Sequence, residues 1–161
     1  MRIRKRCSLV IWVWTLLMTS KTEQLSGVNR RPDWPRQLAQ YVERFRHERF
    51  AWGYNDCLTF ALRWERMVAL RSRFLDAHFI YNTAEEANTL ICEHGLYDVW
   101  EVLDQRLERD HFKFAQKGDL VAQIQHDQPS VGICIGNKFC APGYKGLVFR
   151  DMVRGFHVWK V

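Results

Sequence analysis

A chain of 161 residues that is 47% apolar and 14% aromatic can build one globular domain with a real core, and it is too apolar for disorder over most of its length. Its net charge of +6 suggests nucleic acid until the charge is located: residues 1–31 hold seven basic groups against Glu23 alone, and residues 32–161 balance at 17 of each sign. A domain that gripped phosphates electrostatically would need surplus cations on its folded part, so no nucleic-acid partner is expected beyond what the basic leader itself would hold.

The leader comes first in chain order. Basic residues in Met1–Arg6 precede "CSLVIWVWTLLM", residues 7–18, which is short of the ~20 apolar residues that cross a bilayer but within the range of a secretory segment. No small-residue cleavage site follows it. Two readings stand: an export or anchor segment that gives the chain its one expected membrane contact, or an upstream stretch ahead of a true start at Met18. Thr19–Pro32 is polar and carries Gly, Asn, Ser and Pro, as a linker does, which sets the expected domain at residues 33–161.

Helices are expected first and strands last. Trp34, Leu38, Tyr41, Val42 and Phe45 recur on one helical face from a cap at Asp33 to about His47. "TAEEANTLICEHG" carries a capping box, Thr83 with Glu86, and stops at Gly95; "LYDVWEVLDQRLER" continues as a further amphipathic helix. After Gly118 the pattern turns to short β-rich runs, "GDLVAQIQ", "SVGICIG", "KFCA", "GLVFR" and "FHVWKV". This order predicts an α+β domain, with N-terminal helices packed on a C-terminal antiparallel sheet.

The stretch "FAWGYNDCLTFALRW" holds the residue of most interest. Cys57, Phe60, Ala61, Trp64, Met67 and Val68 form a continuous apolar stripe, with Cys57 at its head. A cap at Asn55 or Asp56 puts Cys57 in the first turn, where unpaired amides and the helix dipole favour a thiolate. The same geometry suits an inert buried cysteine, because free Cys is among the most buried residue types. Trp52 and Gly53 likewise have two readings: a groove floor and close backbone approach beside the thiol, or a core tryptophan and a turn into the helix.

The order aromatic-x-W-G, D-C-x-x-F-A, G-D-L-V and V-G-I-x-I-G resembles the papain-like cell-wall peptidases of the NlpC/P60 type. The two-residue gap between Trp52-Gly53 and Asp56-Cys57 is closer to a shorter phage- and prophage-associated variant whose function is not established. The resemblance covers roughly residues 33–161. It implies a papain-like fold, Cys57 at a helix N-terminus beside Asp56, a histidine base on the sheet, and murein stem peptides or phage tail proteins as partners. It also implies a bacterial cytoplasm or virion if Met18 is the start, and export or anchoring if the leader is real.

The chain departs from that pattern at the base. The position of the catalytic His is Ser130, and the second polar position of those enzymes is Cys140. A papain-like mechanism needs an imidazole within hydrogen-bond reach of the sulfur, to form the ion pair and later protonate the leaving amine. His126, beside Asp127 in "QHDQP", and His157, on the terminal strand with Trp159 and Val161, are the candidate displaced bases. Each also reads as a loop or sheet residue with no catalytic part. His47, His78, His94 and His111 fall in helix ends or linkers. Five cysteines without a C-x-x-C spacing predict free thiols in a reducing compartment and no disulfide framework. His126, Cys134 and Cys140 match no usual zinc spacing, so neither a metal nor a cofactor is expected. Two functions lead: a degenerate papain-like domain kept for assembly or binding, and an active cysteine hydrolase of murein peptides with Cys57 as nucleophile.

Overall fold

The computed structural model describes residues 29–74, 79–125, 128–152 and 156–161, and the apolar stretch at 7–18, His78 and His126 fall outside them. Four helices, α1 (Trp34–Phe45), α2 (Cys57–Val68), α3 (Ala84–Glu93) and α4 (Val99–Asp104), precede a six-stranded sheet. Its strands are β1 (Arg109–Asp110), β2 (Leu120–Gln125), β3 (Gln128–Cys134), β4 (Lys138–Gly143), β5 (Gly146–Asp151) and β6 (His157–Trp159). They run in the order β1-β6-β2-β3-β4-β5, and every pairing is antiparallel. The chain is therefore an α+β domain.

The helix of "CLTFALRWERMV" forms because its stripe has a sheet to bury against and its start is capped from both sides. Asp56 Oδ1 accepts from the Thr59 N–H at 2.9 Å, and Thr59 Oγ1 accepts from the Asp56 N–H at 3.1 Å. Phe60, Ala61, Trp64 and Val68 then meet Leu120, Ala122, Val131, Ile133 and Trp159 in one core between helices and sheet. Trp64 is fully buried, and its Nε1 still donates to Gly118 O at 2.7 Å, so the indole leaves no polar atom stranded.

The far face of the sheet is also buried. Val121, Cys134, Phe139, Ala141, Phe156 and Val158 form a second cluster, closed over by Phe112 from a short 3-10 helix (Phe112–Phe114) and by Ala115 and Met152 rather than by an α-helix. Two cores on one sheet explain why strands β2 and β3 carry apolar residues on both parities.

Three local expectations change. Asp33 makes no side-chain cap; its carboxylate accepts from Gln37 Nε2 at 2.8 Å instead. Thr83 caps α3 by accepting from Glu86 N–H, whereas Glu86 reaches one residue further back, to Asn82 N–H at 2.6 Å. The helix expected over "LYDVWEVLDQRLER" ends at Asp104, because Arg109 turns extended to pair with Trp159 and forks onto Asp104 with two bonds of 2.6 Å.

Arg30, expected in a linker, belongs to the fold. It is 7% exposed, bridges to Ala69, and donates to Val161 O and Lys117 O at 2.6 Å each. Its guanidinium also pairs with Asp119, which is fully buried and accepts from Lys160 Nζ at 2.8 Å and from the Gln116 N–H at 2.7 Å. The Asp of "GDLV" thus ties residue 30 to Lys160, just past the last strand. No helix among the described residues is long and apolar enough to cross a membrane.

Candidate functional site

Strands β3 and β4 are paired only through Ile133↔Cys140 and Cys134↔Phe139. They converge at Gly132, where a Cβ would lie 2.3 Å from Cys140 O, and then part. The Cys134 N–H points toward the β2 side, onto Asp119 O at 2.8 Å, so alternation turns the Val131 N–H the other way, into the gap that β4 has left. The start of α2 packs against the core that holds Val131, and the Val131 amide is among the groups that favour the Cys57 thiolate.

Cys57 is half-buried and packs against the helical core. Burial pushes its thiol up to about 11; the Val131 and Leu58 amides pull down and the neighbouring Asp56 carboxylate pushes up, so the net direction is set by desolvation. Asp56 is itself held rigidly. Its Oδ2 accepts from the Gly53 N–H at 2.7 Å and from Tyr81 Oη at 2.9 Å, in addition to the cap on Thr59. Tyr81 is buried beside both Asp56 and Cys57, and its hydroxyl is driven well above the usual phenol range by burial first and by Asp56 second.

Gly53 has φ +69°, and a Cβ there would meet Tyr81 O at 1.8 Å. Its place in the motif is therefore a backbone requirement of the turn against Tyr81. Trp52 does not close the core: it is 40% exposed and stands edge-on to Phe50 and Tyr81, with ring centroids 4.9 and 6.4 Å apart. Asn55 is buried, with Nδ2 donating to Glu48 O and Arg49 O at 3.3 and 3.1 Å, and its Oδ1 has no partner among the described residues.

The residues singled out on the sheet do not converge on Cys57. Ser130 pairs with Gln123, and the pleat puts it on the face of Val121 and Cys134, opposite to that of Val131 and the helices. Cys140 faces the helical core, with its thiol pushed up to about 12 by burial. It therefore lies on the opposite face from Cys134, which removes any shared metal site for that pair.

His157 does face the helices, as alternation with Trp159 predicts. His157 and Val131 both stand opposite Ala122, so two strand spacings, about 10 Å, separate their backbones. Its ring packs on Trp100 at 4.6 Å, and its Nδ1 lies 3.4 Å from Arg109 Nη1. Burial and then Arg109 lower its proton affinity, against the pull of Asp104 and Asp98. The imidazole is thus engaged by α4 and β1. His94 and His111 are occupied locally, by Leu90 O at 2.8 Å and by the Lys113 N–H at 3.2 Å.

The described neighbourhood of the thiol thus contains a carboxylate, a phenol, strand and helix amides and apolar side chains. Tyr81 is the member that the sequence did not flag; an isolated tyrosine ahead of "NTAEE" carries no spacing signal.

Residues 29–161 match the family described as a domain of unknown function, DUF6950. The chain belongs to that family. No curated protein matches it significantly. The match begins at Asn29 and so takes in Arg30, in keeping with the buried bonds from Arg30 to Asp119 and Val161.

Proposed function

We propose that this chain is a papain-like domain of NlpC/P60 type that has lost amide hydrolysis and works by binding, as an assembly module of phage or prophage tail type. Phage tail proteins or murein peptide are its partner class. The fold part of this reading rests on the order of the Trp-Gly, Asp-Cys, Gly-Asp-Leu-Val and Val-Gly-Ile motifs, and on a cysteine at a helix N-terminus leaning on an antiparallel sheet. The loss of chemistry rests on one observation: the groups that act on the Cys57 sulfur among the described residues are backbone amides and a carboxylate, with no imidazole, and burial pushes the thiol up to about 11. A thiol held neutral at physiological pH, with no imidazole beside it among the described residues, cannot attack a carbonyl at a useful rate.

The test uses the full chain with purified murein sacculi and with soluble muropeptides, followed by mass spectrometry of released stem-peptide fragments. Wild type, Cys57→Ala and His126→Ala are run together. The binding role predicts no fragments from any of the three and equal retention on sacculi or on tail proteins by wild type and Cys57→Ala. Fragments that vanish in Cys57→Ala overturn it and establish the hydrolase reading, with His126 as the base if His126→Ala is equally dead.

A further inference from the structure

β5 is the last strand of the sheet, and two hydrogen bonds fix which way its backbone faces. The Leu147 N–H donates outward, to Arg46 O at 2.9 Å, and the Met152 N–H donates inward, to Asn137 O at 3.1 Å. Alternation turns Val148 and Arg150 toward β4, and Leu147, Phe149 and Asp151 toward the open edge. The end of α1 occupies that edge at Leu147. It packs closely, because a Cβ on Gly146 would lie 2.4 Å from Arg46 O. The window left open runs over Phe149–Asp151, whose outward amides and carbonyls meet no backbone partner among the described residues.

We infer that this window is a docking strand for an extended acidic segment of a partner protein, which adds to the sheet as a seventh strand. The inference is independent of the state of Cys57. Sheet addition is the mode the backbone offers, since an unpaired row of N–H and C=O groups recognises another strand. Charge chooses the partner. Arg150 is exposed in the window, Lys145 is exposed at the hairpin before it, and Arg46 lies over the Phe149 ring at 5.8 Å. Two acids lie near it, Asp151 offset by Lys138 at 3.0 Å and Glu43 paired with Arg46 at 2.8 Å, which leaves Arg150 and Lys145 as the cations in excess.

The same geometry argues against a second copy. An antiparallel self-pair that engages both Phe149 and Asp151 sets Arg150 directly opposite its equivalent, and like charges in that position repel. A self-pair centred on Phe149 runs Asp151 of the copy into the backbone of Arg46. Residues 1–28, with five cationic groups against Glu23, have the wrong sign as well.

The test is fluorescence anisotropy of the full chain with three labelled heptapeptides: alternating valine and glutamate, alternating valine and lysine, and the glutamate peptide N-methylated at alternate residues. The glutamate peptide is expected to bind about tenfold or more tighter than either of the others. Arg150→Glu, an exposed substitution, reverses the preference between glutamate and lysine peptides, and sedimentation of the chain alone gives a monomer. Equal binding of all three peptides, absence of saturable binding, indifference to Arg150→Glu, or a dimer that Arg150→Glu strengthens would each overturn the proposal.

Discussion

Burial pushes the Cys57 thiol up to about 11, from an ordinary value of 9.0. At pH 7.5 its thiolate fraction is then lower than that of an ordinary thiol by roughly 100-fold. Part of this is returned, because a more basic thiolate is intrinsically more nucleophilic, by about 6–10-fold for that difference. The net expectation is alkylation roughly 10–16-fold slower than an ordinary thiol before any steric shielding. Cys92, exposed on α3, supplies an internal reference in the same tube. The assay is iodoacetamide labelling from pH 6.5 to 9.5, quenched in time and read by peptide mass spectrometry. Cys57 should trail Cys92 near neutrality, and its rate should climb about tenfold per pH unit without a plateau. A Cys57 rate that exceeds that of Cys92 at pH 7, or that levels off below pH 7, would signal a thiolate–imidazolium pair and refute the reasoning.

Other parts of the structure make separate commitments. Gly53→Ala should cost roughly 2–4 kcal/mol in thermal or urea unfolding, because the left-handed backbone and the contact with Tyr81 O must both give way; a loss under about 1 kcal/mol would show that the turn has room. Asp119→Ala leaves the buried Arg30 guanidinium and Lys160 without their shared carboxylate and should cost about 3–5 kcal/mol in urea melts, with a near-neutral result counting against the clamp. Glu65 is buried, accepts from Ser72 Oγ at 2.5 Å and from the Arg73 N–H at 2.9 Å, and has its carboxyl raised chiefly by desolvation. The native state therefore favours the protonated form, so the contribution of Glu65 is complete below the unfolded value near 4.3 and is lost as pH rises through the folded value. Glu65→Gln should accordingly gain stability relative to wild type between pH 4 and 7, and a gap that stays constant with pH would contradict the shift.

The helices were legible because their signals are local. The stripe from Cys57 to Val68 and the Thr83 cap need only neighbours within two turns. The sheet was legible as a set of β-rich runs, but its pairing was not: β1 is two residues long and exists only because Trp159 comes alongside Arg109. The site depends on that non-local information. No spacing tells that the Ser130 side chain turns away from α2, since the answer is fixed by the register of Gln123 against Ser130 and by which face the helices cover. Arg30 looked like linker charge because its carboxylate partner lies 89 residues away. Trp52 read either as a groove floor or as a core residue; at 40% exposed it does not close the core, and the choice turns on non-local packing against Phe50 and Tyr81.

The split between β3 and β4 gives the thiol a role that requires no reaction. Beyond Gly132 the two strands no longer pair, and the Val131 amide, which favours the Cys57 thiolate, is placed to use that sulfur as its acceptor. Two substitutions separate this role from a catalytic one. Cys57→Ala removes the acceptor and should cost about 1–3 kcal/mol, whereas Cys57→Ser offers a hydroxyl oxygen to the same amide and should recover part of that loss. A nucleophile makes the opposite ordering natural: both variants would be inactive, and the alanine would be as stable as wild type or more so, because active-site groups are commonly held at a cost to stability. Chemical denaturation of the three proteins distinguishes these cases. Alanine as stable as wild type would mean that the Val131 amide has another partner, and the thiol would then have to be explained by chemistry after all.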